Sequence, residues 1–245
     1  MLFGFYILLI TKGWKILLAF PLFVLAFYSY IATKLTFLPL ILIFCLYGYF
    51  VVNKKRFAPY YFILIFLAIC FVGFFLFQLS QAPQSRTAEL LTPFSAQMAE
   101  DVDGLRKATI ASPMLSLFEN KGSFFLTMIS ERFFHSLSPS YLFLTGDFFF
   151  LLNTHGLFYP IDLLLFFCGV FFLFIHKRKL FFFLGSIIVV ALLPQAMHMG
   201  KQYFSPHITL IIPFFLFIIA YGLWQIISQK KRVVRIAIIV LYLAF

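Results

Sequence analysis

FAPYYFILIFLAICFVGFFLFQL, residues 57–79, runs for 23 residues without one charged side chain and follows directly on the basic tetrapeptide NKKR at 53–56. At 1.5 Å per helical residue such a stretch is long enough to cross a hydrocarbon layer of about 30 Å. Working outward, comparable apolar runs recur at 16–33, 36–52, 157–175, 180–197 and 207–228, uncharged except for Asp162 near the start of the third of these. Six full transmembrane helices are therefore expected. The whole composition agrees: 63% of the 245 residues are hydrophobic and 11% charged, with mean hydropathy +1.03, far from the roughly 25% charge of soluble domains. A barrel would show short alternating segments instead, so the expected fold class is an all-α integral membrane protein.

The two ends are shorter. Met1 to Ile10 is apolar but stops before Lys12, about half a bilayer, and Val233 to Phe245 is short too. A signal peptide carries its positive charge before the apolar run, whereas Lys12 and Lys15 follow it. Each end is expected to be a truncated span, and the chain an internal piece of a longer membrane protein. The expected organisation is transmembrane helices over 1–79, a large loop over 80–156, and transmembrane helices over 157–245.

Basic residues set the orientation. Lys12 with Lys15, NKKR at 53–56, HKRK at 176–179 and QKKRVVR at 229–235 hold 12 of the 19 Lys and Arg, and alternating spans bring all four clusters to one side. By the positive-inside rule that side is cytoplasmic, which accounts for most of the +11 charge without a nucleic-acid partner. Trp14 and Trp224 sit near the same boundary, as interfacial anchors do. The opposite side keeps two short connections, each with one base, Lys34 and Lys201, and the loop 80–156.

That loop carries seven of the eight acidic residues and five basic ones, a net charge of about minus two. Thr92-Pro93 gives an N-cap followed by proline at the first helical position, so a helix is expected from there to about Lys107. A second is expected from Lys121 to Leu137, where Phe125, Met128, Ile129, Phe133 and Phe134 recur at three- and four-residue spacing and would lay it along the membrane surface. It should end at Ser138-Pro139, with Tyr141 to Leu144 dipping toward bilayer or core and Gly146-Asp147 turning the chain back.

The order of these residues resembles multi-spanning glycosyltransferases of the GT-C class that use lipid-linked sugars, the group of protein O-mannosyltransferases and aminoarabinose lipid A transferases. The resembling residues are Leu137-Ser138-Pro139, Tyr141-Leu142-Phe143, Gly146-Asp147, Gly156, Tyr159 and Asp162, and upstream FYSYIATKLTFLPL with Tyr28, Tyr30, Lys34 and Pro39. Ser85-Arg86, after the third full span, is also similar. Ile31 stands where that family has His, and Lys34 replaces Arg. The likeness runs over roughly Lys15 to Ala220, the C-terminal two-thirds of such an enzyme.

The resemblance implies a polyprenyl-phosphate-linked sugar donor, an acceptor of unspecified kind, no cofactor and inversion at the anomeric carbon. It also places the enzyme in a bacterial-type inner membrane with the loop extracytoplasmic. Negative charge grows on the departing phosphate, and a nearby cation stabilises that transition state. Lys34, Arg86 and Lys201 are the available cations, and Tyr28, Tyr30, His155 and Tyr159 are further candidate substrate-binding residues. The family's catalytic aspartate belongs to a first outer loop that has no counterpart among these residues, so no catalytic residue is expected here and catalysis by this chain alone is not expected.

Plain readings stand beside these. Lys34 could snorkel from a helix end, the tyrosines could form an interfacial belt, and Arg86 could pair with Glu89. His135, His155, His198 and His207 show no ligand spacing, so no metal site is expected. Cys45, Cys70 and Cys168 all fall inside spans and indicate neither disulfide nor nucleophile. Two other classes remain open: an O-antigen ligase or polymerase type of polyprenyl-lipid enzyme, and a transporter or flippase subunit.

Overall fold

The computed structural model describes residues 1–52, 58–81, 100, 102–104, 120–146, 154–197 and 209–229. Eight helices organise these residues: α1 (Leu2–Ile10), α2 (Ala19–Ser29), α3 (Ile31–Phe50), α4 (Ala58–Gln81), α5 (Lys121–Ser136), α6 (Pro160–His176), α7 (Arg178–Met197) and α8 (Ile212–Gln229). A 3₁₀ segment, Gly13–Leu18, precedes α2, and one π-helical turn, Ser140–Thr145, follows α5. There is no strand among the described residues. Helices are what a lipid solvent demands, because each satisfies its own backbone.

Four segments are long and apolar enough to cross a membrane: Thr33–Phe50, Ala58–Gln78, Arg178–Met197 and Thr209–Ser228. The chain is a membrane protein on this evidence. Two further apolar helical segments, Gly13–Ser29 and Pro160–His176, are shorter. The first departs from the expected span 16–33. Its helix ends at Ser29 because Tyr30 is extended (φ −151°, ψ 139°) and α3 begins at the very next residue. Thr33 ties this tight corner together: its hydroxyl oxygen lies 2.5 Å from the Tyr30 carbonyl oxygen and 2.7 Å from that of Ala26 near the end of α2, either within reach of its one proton. Lys34, expected in a connection, is consequently in the first turn of α3.

α1 to α4 share one core, built on Phe5, Leu8, Phe23, Phe27, Phe37, Ile41 and Leu64. Aromatic rings do most of the filling. Phe27 sits edge-on to Phe37, Phe71 and Phe75 at 5.0, 5.0 and 4.8 Å, and Phe5 stacks on Phe44 at 3.7 Å. α7 joins this unit to the rest through Phe183, whose ring meets Phe44 at 4.9 Å and Tyr47 at 3.8 Å.

In the second unit α6 and α8 touch backbone to backbone. A methyl group built on Gly169 would lie 2.1 Å from the Ile218 carbonyl oxygen, and one on Gly222 2.2 Å from that of Leu165. Small residues permit such an approach where lipid offers no hydrophobic drive between helices and packing must supply it.

The residues after α5 behave largely as the sequence suggests. α5 is capped by Asn120, which accepts from the Ser123 N–H at 2.9 Å, and it ends at Ser136. The π turn then buries Tyr141, Leu142 and Phe143 while leaving Leu144 exposed, and Gly146 reverses the chain at φ +67°. Leu142 accepts from the Phe158 N–H at 2.9 Å. Gly156 makes that seat possible, since a Cβ there would lie 2.4 Å from the Phe143 carbonyl carbon. One part of the expected amphipathic face fails: Phe125, Met128, Ile129 and Phe133 are half-buried, but Phe134 is 70% exposed, on a stripe with Leu126. Asp147 lies outside the described residues, as do most of the helix expected from Thr92 to Lys107 and the end segment Val233 to Phe245; Glu100 and residues 102–104 are helical.

Candidate functional site: two cavities at the end opposite the basic clusters

Thr33 and Thr36 are one step of three apart in the first turns of α3 and share a side of it, and Tyr30, the extended N-cap residue, comes to the same side. There they line a cavity of about 470 Å³ closed by Met1, Leu2 and Phe3 of the α1 end, Ala191 and Pro194 of α7, and Thr209, Leu210 and Pro213 at the start of α8. Three of these residues are threonines and one is a tyrosine, so hydroxyl groups are set in an otherwise apolar wall. Burial raises the Tyr30 phenol above its ordinary pKa, so it keeps its proton. Thr36 and Gln195 are both fully buried in the neighbouring helices. Of these, the sequence singled out only Tyr30. The signal for the others was present as the three-residue spacing and as a glutamine after Pro194 inside an apolar run.

Lys34 does not line this cavity. One residue beyond Thr33, it is turned toward α4, where its Nζ lies 5.0 Å from the centre of the Phe75 ring. Tyr28 is exposed, its ring edge-on to Phe27 and Phe71 at 5.5 and 5.9 Å. Tyr30 and Lys34 thus belong to different surfaces of α3, although the sequence set them together.

A second cavity, of about 440 Å³, collects Phe143, Leu144, Thr154, His155, Gly156, Leu157, Phe158, Tyr159 and Pro160. His155 and Tyr159 do come together here. The His155 Nδ1 lies 2.9 Å from the Thr154 hydroxyl oxygen. Tyr159 is held at the start of α6 by Asp162, whose carboxylate accepts the Tyr159 N–H at 3.1 Å from a position only 3% exposed. An acidic group in the first turn also complements the helix dipole. Removing this cap by Asp162→Ala is expected to cost about 1–2 kcal/mol, with Asp162→Asn retaining most of it; thermal unfolding in detergent measures both.

The start of α8 is the wall between the two cavities. Thr209, Leu210 and Pro213 face the first, while Phe215 stacks on Phe158 of the second at 5.5 Å. Arg86 and Lys201 lie outside the described residues. By sequence, Lys201 belongs to the connection between α7 and α8, both of which line the first cavity. No group of three potential metal ligands occurs among the described residues. Comparison with protein-family models, with curated proteins and with solved structures finds no match.

Proposed function

We propose that the chain is part of a membrane glycosyltransferase that moves a sugar from a polyprenyl-phosphate donor to an acceptor on the extracytoplasmic face, with inversion. It would lie in a bacterial-type inner membrane, with Gly13–Ser29 and Pro160–His176 completing six spans. The observation that carries this reading is the first cavity. A polyprenyl-phosphate sugar keeps its tail in lipid and its head at the surface, so its site must join apolar walls to hydrogen-bonding groups at a span end. Tyr30, Thr33, Thr36 and Thr209 set hydroxyl groups among Leu2, Phe3, Ala191 and Leu210; Thr33 and Thr36 donate their own protons to backbone carbonyls, so their oxygens offer acceptors to sugar hydroxyls. The order of GT-C-like residues from Tyr28 to Asp162 points the same way, and Lys201, between the two lining helices, is the cation best placed by sequence for the phosphate.

Binding of a short-chain polyprenyl phosphate to the chain in lipid nanodiscs tests this. Tyr30→Phe and Thr36→Val should each weaken binding about 3–10-fold, the worth of one hydrogen bond. Lys201→Ala should weaken it more than Lys34→Ala, and Tyr28→Phe should change nothing. Equal affinity for the phosphate and for the corresponding uncharged alcohol would remove the reading. A transporter or flippase subunit is the second reading, favoured by Pro194, which stands inside α7 and lines the first cavity, since a proline beside a cavity leaves a helix carbonyl without its usual N–H partner and able to face a substrate. Substrate flux across vesicles without sugar transfer would select it.

A further inference from the structure

The turn between α6 and α7 is a single residue. α6 ends at His176 and α7 begins at Arg178, with the Lys177 N–H donating to the Leu173 carbonyl at 2.8 Å and the Phe181 N–H to the Lys177 carbonyl at 2.9 Å. His176, Lys177, Arg178 and Lys179 therefore stand together, all exposed. His176 serves the fold: its Nδ1, 3.1 Å from the Phe172 carbonyl oxygen, donates to the last turn of α6, since a carbonyl can only accept. The other three are unmatched. Arg178 folds back onto α6, its guanidinium 5.6 Å from the centre of the Phe174 ring, and no carboxylate meets Lys177, Arg178 or Lys179 among the described residues. The first turn of α7 holds no acidic residue and opens on two bases, set against the helix dipole.

The counter-charge is missing from this end of the chain altogether. All eight Asp and Glu lie between 89 and 162. Asp162 is the nearest in sequence, yet it stands about 21 Å along α6 from His176 and is engaged on the Tyr159 N–H. The other seven belong to the connection between α4 and α6, which enters α6 at its opposite end.

Exposed apolar side chains begin at once on both sides of the basic run. Phe171, Phe174 and Ile175 precede it on α6, and Phe182, 62% exposed, follows it on α7. α7 is long and apolar enough to cross a membrane, and α6 packs backbone to backbone on α8, which is too. Exposed phenylalanines on such helices face acyl chains, whereas exposed bases are excluded from them. The hydrocarbon edge therefore falls at the turn, with unmatched cations on one side of it and bare apolar rings on the other.

We infer that the α6–α7 turn binds an anionic phospholipid from the leaflet on the side of the basic clusters. Arg178 and Lys179 hold the headgroup phosphate, and the acyl chains lie over Phe171, Phe174 and Phe182. The Phe174 ring has two contacts in this arrangement, since it touches a chain and also fixes the guanidinium at the hydrocarbon edge, where its planar fork suits a phosphate. A zwitterionic headgroup brings its own ammonium to the same bases and is the weaker ligand.

Quenching by brominated lipid tests this. In the full chain with Trp14→Phe, Trp224→Phe and Phe182→Trp, the single tryptophan reports lipid beside the turn. In mixed vesicles brominated phosphatidylglycerol should bind there at least about fivefold more strongly than brominated phosphatidylcholine, the effect of one base near a membrane surface. Arg178→Gln with Lys179→Gln should bring that ratio close to one. Lys12→Gln with Lys15→Gln removes the same two charges at another exposed turn and should leave the ratio within about twofold of its original value. A ratio near one in the unsubstituted turn overturns the site. Equal losses in the two double variants overturn it in favour of diffuse surface attraction, and displacement by inorganic phosphate overturns it in favour of a soluble phosphate compound. Should the 178/179 variant not fold, Phe174→Leu keeps every charge and removes only the ring under Arg178. It should lower the ratio about two- to fivefold, and an unchanged ratio overturns the site. The readout involves no sugar transfer, so its failure is distinct from that of the glycosyltransferase reading.

Discussion

Gly169→Leu and Gly222→Leu are each expected to separate α6 from α8 and to leave little folded protein in detergent. Even alanine is too large at these positions, because its methyl would stand 2.1 or 2.2 Å from a carbonyl oxygen of the facing helix. The neighbour at fault is backbone, which no rotamer change can move aside. Overpacking of this kind costs about 1–3 kcal/mol and occasionally more, so the alanine variants should sit near or above the upper figure and lose about 5 °C or more in unfolding midpoint. Gly185 provides the control on the next helix. Nothing lies within 4 Å of a Cβ added there, and Gly185→Ala should be neutral or stabilising by up to about 1 kcal/mol through helix propensity. If all three alanine variants unfold at the same temperature, the α6–α8 contact is not as tight as described. Because the start of α8 divides the two cavities, a variant that loosens α8 should also weaken polyprenyl-phosphate binding, whereas Gly185→Ala should not.

The helices were legible because charge is a sharp boundary in a sequence this apolar. Lys177 to Lys179 mark where α7 begins, and the expected start at 180 falls within two residues of Arg178; the expected start at 57 lies outside the described residues. Where no charge intervened, the boundary was lost. Nothing in FYSYIATK announces that Tyr30 breaks the helix; the break depends on the Thr33 hydroxyl reaching back to Ala26, a contact between residues seven apart. The seat of Tyr141 to Phe143 was anticipated because Ser138-Pro139 and Gly146 bracket a short apolar run, a local signal. The pairing of Gly169 with Gly222 was not anticipated, because neither glycine carries local information and the contact spans more than fifty residues. The candidate site was legible one residue at a time and not as a constellation. Tyr30 and Lys34 are four apart, a spacing that normally shares a helix face, yet Tyr30 stands outside the helix as its N-cap, and the two side chains part.

Phe27→Ala should be the most damaging single truncation in α1 to α4. The ring is 1% exposed and three others, from α3 and α4, meet it edge-on within 5.0 Å. Truncating a buried phenylalanine costs about 3–5 kcal/mol. The term that survives in lipid is the cavity left behind and the lost ring contacts, each worth about 0.5–1.5 kcal/mol, because lipid tails are as apolar as the core. Phe27→Leu, which keeps most of the volume, should cost about 1–2 kcal/mol. Phe20→Ala is the matched comparison: a half-buried ring on the same helix with a contact to Phe71 at 6.2 Å. A loss at Phe27 no greater than at Phe20 would show that the aromatic cluster is incidental filling. Lys34 reads out a different consequence. Its ammonium rests on Phe75, which is itself 4.8 Å from Phe27, so the alanine variant should free the Phe75 ring and weaken the hold on Lys34. The measurable sign is coupling: Lys34→Met should cost about 0.5–1 kcal/mol in the wild type, the worth of a cation–π contact, and distinctly less in Phe27→Ala. Equal costs in both backgrounds would mean that Phe27 fills space without positioning Phe75.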